Sequence, residues 1–323
     1  MRAAICRQYG PPEVIEVGEF PDPEPAAADD VLVAVRSAAV NFPDVLVLAD
    51  EYQRSTPLPY VPGSEFAGVV TDAGTDSGFA PGDRVYGTVP TGAFAECVTL
   101  PAGQVQRMPD AVDFDAAAGF GVAYTTAYHA LSTAGGIRFG DWIVVIGAAG
   151  GVGLATVDLA RHLGARVVAA ASGHEKTALC LDRGATAAVD YRNEDLRRRI
   201  KEITGEGAHV VVDPVGGAAS ESALRALRRG GTFVTVGYAS GEIPAIPLNL
   251  VLLKGITITS VDIGTMSIHH PEVKKQGRAE LHRLFATGAL TPYVHEVYPL
   301  AETAAALRHV ADRKALGKVI IRP

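Results

Sequence analysis

Residues 142–154 of this 323-residue chain read Trp-Ile-Val-Val-Ile-Gly-Ala-Ala-Gly-Gly-Val-Gly-Leu. Five consecutive apolar residues are typical of a strand buried in a parallel sheet, and the glycines after them predict a tight turn into a helix. Such glycines let backbone N–H groups approach a pyrophosphate, and the helix N-terminus adds partial positive charge. The stretch therefore predicts a dinucleotide-binding loop. The predicted cofactor contacts in it are Ala149, Gly150, Gly151, Val152 and Gly153.

Short apolar runs continue through the second half of the chain and alternate with segments of helix length. This alternation predicts an α/β domain with a doubly wound parallel sheet, the architecture that places a dinucleotide across its strand ends. The predicted strands are residues 142–146, 166–171, 187–190, 209–213, 232–236 and 256–260.

The first hundred residues have a different pattern, in which short strand-like runs are separated by many Gly and Pro residues. This pattern predicts an antiparallel, barrel-like domain. Strand-like runs at 293–298 and 318–321 predict a tail that returns to it. We therefore expect a barrel-type catalytic domain at residues 1–119, a cofactor domain at 120–262, and a helix with the returning tail at 263–323.

The composition indicates a globular protein and argues against nucleic-acid and membrane partners. The formal net charge is −7, whereas nucleic-acid affinity comes largely from clustered Lys and Arg. No apolar stretch approaches the ~18 residues of a spanning helix, and no leader pattern opens the sequence, so a cytoplasmic protein is expected. Cys6, Cys97 and Cys180 lie far apart, which disfavours both a disulfide framework and a thiolate metal site.

The chain resembles the quinone oxidoreductase and zeta-crystallin branch of the medium-chain dehydrogenase/reductase superfamily. The resemblance runs from residues 1–3 through 62–68 to 317–319, and it includes the family motif around the glycine loop. Within that motif, Val144 and Asp158 depart from the family's Leu and Gln. The resemblance implies a GroES-like catalytic domain joined to a Rossmann cofactor domain.

The resemblance also implies a site without a metal. Related alcohol dehydrogenases hold a catalytic zinc ion with Cys and His ligands. The matching positions in this chain are Asn41, Ser64 and approximately Phe120, none of which offers a thiolate or an imidazole. Without a Lewis acid, alcohol oxidation loses its main electrophile, whereas an electron-poor quinone or conjugated enone can take hydride unaided.

Two residues of the first domain are catalytic candidates by resemblance. Asn41 would hydrogen-bond near the cofactor carboxamide or the substrate, and Tyr52 matches a tyrosine thought to donate a proton in enoyl-thioester reductases. The alternatives are a capped turn at Asn41 and Asp44, and surface packing for Tyr52. Further cofactor contacts implied by the resemblance are Thr126, Gly237, Tyr238 and Ala239.

The end of the second predicted strand bears on the choice of cofactor. An NAD-preferring site normally has Asp or Glu there, but residues 169–173 read Ala-Ala-Ala-Ser-Gly. Lys176 and Tyr191 match the phosphate-binding residues of NADPH-dependent quinone reductases, and Ser172 joins them as a predicted contact. Glu175 could instead neutralise the lysine, which would leave Lys176 a solvated residue and Tyr191 a packing residue. NADPH is the expected cofactor.

The leading hypothesis is a zinc-independent oxidoreductase that transfers hydride from NADPH to a quinone or similar activated acceptor. One alternative is an NADPH-dependent reductase of 2-enoyl thioesters or enones. Another is a dinucleotide-binding protein with little catalysis, because fold alone does not determine function. A homodimer is expected, since the strand at 256–260 should lie at a sheet edge and such edges are usually covered.

Overall fold

The computed structural model describes the chain from Met1 to Pro323 apart from the side chain of Ser267. The chain divides into two compact units. Unit 1 consists of Met1–Val122 and Thr291–Pro323, and unit 2 is Ala123–Leu290.

Strands and helices are numbered in chain order. The strands are β1 (Arg2–Cys6), β2 (Ile15–Glu19), β3 (Asp30–Val40), β4 (Glu65–Ala73), β5 (Arg84–Thr88), β6 (Cys97–Pro101), β7 (Val105–Arg107), β8 (Trp142–Ile146), β9 (Arg166–Ala171), β10 (Ala187–Asp190), β11 (Ala208–Asp213), β12 (Leu227–Thr235), β13 (Thr257–Ser260), β14 (Val294–Pro299) and β15 (Lys318–Arg322). The helices are α1 (Phe42–Leu48), α2 (Phe114–Ala118), α3 (Gly121–Thr133), α4 (Gly151–His162), α5 (His174–Asp182), α6 (Leu196–Thr204), α7 (Ala218–Ala226), α8 (Leu248–Lys254), α9 (Ile263–His269), α10 (Pro271–Ala286) and α11 (Thr303–Ala311).

Unit 1 is built on a mostly antiparallel sheet in the order β14-β15-β3-β4-β5-β7, and β6 also pairs with β3. Alternate residues of β3, such as Val31, Val33 and Val35, are buried, as expected for a strand with one face toward a core. They belong to a cluster with Phe66 and Phe94. Strand β15 pairs antiparallel with β3, while β14 pairs parallel with β15. The C-terminal segment is therefore part of the first unit's sheet.

Unit 2 contains a parallel sheet in the order β10-β9-β8-β11-β12-β13 among the residues described. The order reverses at β8, the strand that precedes the glycine loop. Strands β8 and β9 are buried almost throughout, which explains their uninterrupted apolar sequences. Because the strands are parallel, their carboxyl ends lie at one edge of the sheet, where a doubly wound fold binds its ligand.

The boundary expected at residue 263 is wrong. The sequence pattern groups helix α10 with the returning tail, but the helix belongs to unit 2, which ends at Leu290. The reason is packing: Leu281, Leu284 and Phe285 are buried, and Gly277 lies against the ring of Tyr128. The first boundary likewise falls after residue 122 instead of 119.

The helices of the residues that the structure describes are α1 to α11. None of these helices is both long enough and apolar enough to cross a lipid bilayer.

Candidate cofactor and active site

The glycine-rich loop connects β8 to α4. Gly147 has φ +61°, a conformation that L side chains rarely adopt, so the chain can turn directly after the strand. A Cβ atom at Gly153 would lie 2.2 Å from the carbonyl oxygen of Gly147, which means that α4 packs directly on the loop backbone. The N-cap of α4 is Gly150, and no side chain caps the first turn. This turn thus has the uncapped backbone N–H groups that bind phosphate.

Three predicted cofactor residues lie in the segments that follow β9 and β10. Ser172 follows β9, Lys176 lies in the first turn of α5, and Tyr191 follows β10. In the parallel pair, Ala171 is opposite Asp190, and the Tyr191 N–H donates to the carbonyl of Ala171 at 3.1 Å. Ser172 and Tyr191 therefore lie at neighbouring strand ends.

A carboxylate that the sequence reasoning missed stands at these strand ends. Asp190 Oδ1 accepts hydrogen bonds from the Gly173 N–H at 2.8 Å and the Arg192 N–H at 3.1 Å, and Oδ2 accepts from Asn193 Nδ2 at 2.8 Å. The bond from Gly173 is the main reason that the pKa of Asp190 is lowered. Asp190 ends β10, which is the third strand of the parallel sheet in chain order. The sequence argument considered only the end of β9, which carries no carboxylate, and therefore did not identify Asp190. Its signal was an Asp followed by Asn at a strand end, which is typical of a side-chain-stabilised turn.

Residues 237–239 lie at the same sheet edge as the glycine loop. The N–H of Ala239 donates to the carbonyl of Pro214 at 3.2 Å, directly after β11. This turn is also near the loop, because a Cβ atom at Gly147 would lie 2.5 Å from Val215 Cγ2. The predicted contacts Gly237, Tyr238 and Ala239 are thereby brought to the edge that carries the glycine loop.

Thr126 lies on α3. Asp158, which departs from the family motif, contacts another residue of that helix. The Tyr124 hydroxyl donates to Asp158 Oδ2 at 2.6 Å, and the Arg183 guanidinium lies 2.7 Å from the same oxygen. Burial raises the pKa of Tyr124 well above its usual value. The Asp158 side chain thus ties α3, which carries Thr126, to the cofactor helix α4.

In unit 1, Asn41 lies in a buried cluster of polar side chains. Its Oδ1 accepts from Lys318 Nζ at 2.6 Å, and its Nδ2 donates to Glu65 Oε1 at 2.9 Å and to Ser64 Oγ at 3.3 Å. Lys318 Nζ also contacts Glu65 Oε1 at 2.5 Å. The side chains of Lys318 and Glu65 are only 4% and 1% exposed, so this is a fully desolvated ion pair. We call Asn41, Ser64, Glu65 and Lys318 the amide cluster.

Asp44 has a structural role at the start of α1. Its Oδ2 accepts from the Asn41 N–H at 2.7 Å, which completes a capping box at the start of α1. Burial raises the pKa of the Asp44 carboxyl to about 7. Tyr52 follows α1 in a loop, where the residue is 40% exposed.

The positions matched to zinc ligands carry the wrong donors for zinc. Asn41 and Ser64 are in contact and belong to the amide cluster, and the Phe120 ring packs edge-on against Tyr86. Neutral amide, hydroxyl and phenyl groups are not the thiolate, imidazole or carboxylate ligands that zinc takes in proteins. The residues present therefore do not fit the zinc site of related alcohol dehydrogenases.

One group of His and Glu residues in unit 1 has ligand atoms within 4.8 Å of one another. It consists of His295, Glu296 and His309. His295 Nδ1 accepts the N–H of Leu316 at 3.2 Å, so a neutral His295 carries its proton on Nε2 and has no lone pair left for a metal. Glu296 is itself engaged, because it accepts from the Tyr298 hydroxyl at 2.5 Å. We assign no metal to this group.

Comparison with known proteins gives the family. The model of the alcohol dehydrogenase GroES-like domain matches residues 27–131, and that of the zinc-binding dehydrogenase matches residues 151–277. A quinone oxidoreductase-like protein 2 homolog from Nematostella vectensis is 35% identical over 99% of this chain and 88% of its own length. A quinone oxidoreductase from Pseudomonas aeruginosa is 33% identical over 98% of this chain and 97% of its own length.

A crystal structure agrees with these matches. The Escherichia coli quinone oxidoreductase, solved in complex with NADPH, superposes with a TM-score of 0.91 at 29% identity, and all of both chains is covered. The expected combination of a GroES-like domain and a Rossmann domain is confirmed. The chain belongs to the medium-chain dehydrogenase/reductase superfamily, among its quinone oxidoreductase-like members.

Proposed function

We propose that this protein binds NADPH and transfers its hydride to a quinone or a similar activated acceptor, without zinc. The observation that carries the proposal is that the positions matched to the zinc ligands are Asn41, Ser64 and Phe120, which offer neutral amide, hydroxyl and phenyl groups. A quinone accepts hydride without a Lewis acid, because its reduced form is stabilised by aromaticity. The proposal is supported by the quinone oxidoreductase names of the relatives and by the NADPH complex of the Escherichia coli enzyme.

The proposed roles combine the family resemblance with the geometry of each unit. The uncapped first turn of α4 binds the pyrophosphate, and Ser172, Lys176 and Tyr191 bind the 2′-phosphate. Thr126 and residues 237–239 are further cofactor contacts. In unit 1, the Asn41 amide hydrogen-bonds near the cofactor carboxamide or the substrate, and the Tyr52 hydroxyl hydrogen-bonds the acceptor oxygen, which takes up a proton after hydride transfer.

The test is a steady-state assay of NADPH oxidation with a quinone and, separately, with crotonyl-CoA. We expect quinone turnover to exceed thioester turnover in kcat/KM. Turnover of the thioester alone would favour the enoyl-thioester alternative. If NADPH bound tightly but no acceptor in a broad panel were reduced, a binding protein with little catalysis would be the better description.

Substitution of Lys176 should separate the two nicotinamide cofactors. We expect Lys176→Ala to weaken NADPH binding by about 2 kcal/mol, because a charge-assisted hydrogen bond to the 2′-phosphate is lost, and to leave NADH binding nearly unchanged. Titration of both cofactors by fluorescence measures this. Lys275→Ala, in the exposed part of α10, is the matched control. Equal losses for NADPH and NADH would mean that the phosphate pocket lies elsewhere.

Activity should not depend on a bound metal. We expect a strong chelator to leave the NADPH-quinone rate unchanged, and elemental analysis to find substoichiometric zinc. A stoichiometric metal whose removal abolished the rate would refute zinc independence.

The sheet edge of unit 2 supports a homodimer. Strand β13 is the last strand of its sheet, and the α8 side chains of Leu248, Leu252 and Leu253 are exposed, Leu252 to 82%. A second copy would cover both the strand edge and these apolar side chains. We expect light scattering to give a dimeric mass at micromolar concentration, and Leu252→Glu to shift it toward the monomer. Leu181→Glu, on exposed α5, should leave the mass unchanged, and a monomeric wild type would refute the dimer.

A further inference from the structure

The residues proposed to bind the 2′-phosphate lie on two separate segments of unit 2. Ser172 and Lys176 belong to the segment that follows β9, and Lys176 lies in the first turn of α5. Tyr191 belongs to the turn that follows β10. A phosphate group is small, so residues of both segments can bind it together only if the two segments keep a fixed separation.

The segment that carries Lys176 is held at its start by a side chain of the other segment. Gly173 is the N-cap residue of α5, and a Cβ atom added to it would meet no atom within 4 Å, so packing does not restrain this glycine. Its N–H donates to Asp190 Oδ1 at 2.8 Å. The Asp190 carboxylate thus fixes the point at which the chain enters α5, and with it the turn that carries Lys176.

The same carboxylate holds the turn that carries Tyr191. Asp190 Oδ1 accepts a second hydrogen bond from the Arg192 N–H at 3.1 Å, and Oδ2 accepts from Asn193 Nδ2 at 2.8 Å. The Asn193 N–H also donates to the Asp190 carbonyl at 3.0 Å, which closes the turn around Tyr191. One side chain therefore joins the two segments that carry the proposed phosphate ligands.

The Asp190 carboxylate has little capacity left for a ligand. A carboxylate offers about four lone-pair sites, and Gly173, Arg192 and Asn193 fill three of them. A carboxylate that selects NADH instead accepts the 2′-hydroxyl of the ribose. Because Asp190 uses most of its acceptor sites within the protein, its place at the strand ends indicates support of the pocket and not contact with the ribose.

We propose that Asp190 is a positioning residue for recognition of the 2′-phosphate, and that it acts by accepting the N–H groups of Gly173 and Arg192 and not through its charge. The inference rests on the proposed function, in which Lys176 and Tyr191 bind the phosphate. A negative charge near a bound phosphate is by itself unfavourable. The contribution of Asp190 to NADPH binding is therefore the fixed separation of the two segments.

A neutral side chain of the same shape separates geometry from charge. In Asp190→Asn, the amide oxygen can accept both backbone N–H groups, as Oδ1 does in the wild type. The amide nitrogen then faces Asn193, whose own amide can turn to present its oxygen. Asp190→Ala, in contrast, removes every acceptor of this side chain.

The test measures the dissociation constants of NADPH and NADH by fluorescence titration for the wild type, Asp190→Ala and Asp190→Asn. The readout is the NADH constant divided by the NADPH constant, because a general loss of folded protein affects both constants alike. In Asp190→Ala, we expect this ratio to fall about tenfold, at the lower end of what one hydrogen bond to a charged group contributes. In Asp190→Asn, we expect it to fall by less than about twofold.

The matched control is Asp182→Ala, which removes an exposed carboxylate from the last residue of α5 and should keep the wild-type ratio. If Asp190→Ala does not fold, as thermal melting would show, Asp190→Glu takes its place. Glutamate keeps the charge, but its longer side chain moves the oxygens away from the Gly173 N–H, so the ratio should fall.

Two results would overturn the inference: an unchanged ratio in Asp190→Ala, or in Asp190→Glu where that variant replaces it, and a loss in Asp190→Asn as large as that in Asp190→Ala. The proposed function is tested separately by the wild type. A wild-type protein that does not prefer NADPH would refute the proposed phosphate pocket itself.

Discussion

Lys318→Met should lower the free energy of unfolding by about 3–5 kcal/mol, the range observed when one partner of a buried ion pair is removed. The Lys318 and Glu65 side chains are almost fully excluded from solvent, so the variant leaves an uncompensated carboxylate in the core of unit 1. It also leaves Asn41 Oδ1 without the donor that it has in the wild type. Chemical denaturation followed by circular dichroism measures the loss.

The double variant Lys318→Met/Glu65→Gln should recover a large part of this loss, because no buried charge remains. Replacing a buried pair with neutral groups of similar volume is often tolerated, since the desolvation of two charges offsets much of their attraction. Lys314→Met provides the matched surface control and should change stability by less than about 0.5 kcal/mol. A small effect of Lys318→Met, equal to that of Lys314→Met, would show that the ion pair contributes little to the native state.

Gly153→Ala should both destabilise unit 2 and abolish measurable NADPH binding. The added Cβ would lie 2.2 Å from the Gly147 carbonyl oxygen and 2.7 Å from Ala148 backbone atoms, and neither group is the flexible end of a side chain. Either α4 or the loop must move. Overpacking of this kind costs about 1–3 kcal/mol, and displacement of the loop removes the N–H groups from the pyrophosphate. Thermal melting and cofactor titration measure the two effects.

Gly150→Ala is the control that separates strain from ligand contact. A Cβ atom at Gly150 would meet only the Gly147 carbonyl oxygen, at 3.5 Å, and the backbone there is in an ordinary extended conformation. This variant should keep the wild-type melting temperature, although it can weaken NADPH binding if the methyl group faces the cofactor. Equal melting temperatures for Gly153→Ala and Gly150→Ala would contradict the packing argument.

The parallel sheet could be predicted from the sequence because its signals are local. The predicted strands at 142–146, 166–171 and 187–190 coincide with β8, β9 and β10. Each is a short apolar run that begins after a turn and is followed by a helix. The glycine loop could be predicted equally well, because its function requires residues without side chains at a fixed spacing.

The amide cluster could not be predicted, because its members are far apart in sequence. Lys318 lies 277 residues from Asn41 and 253 from Glu65. Nothing in the local pattern around Glu65 or Lys318 shows that these charges are buried, and charged residues are usually exposed. The same limit explains the wrong boundary at residue 263, since the polar sequence at the start of α10 gave no sign of which unit would bury Leu281 and Leu284.

The interrupted course of unit 1 has a consequence for biosynthesis. Unit 2 is one continuous stretch, Ala123–Leu290, and can fold as soon as that stretch has left the ribosome. Unit 1 has to wait for Thr291–Pro323, because β3 pairs with β15 and Glu65 has no cation beside it until Lys318 has been synthesised. The unit that is translated first is thus completed last. A nascent chain stalled before residue 291 would combine a protease-resistant second unit with a protease-sensitive first one.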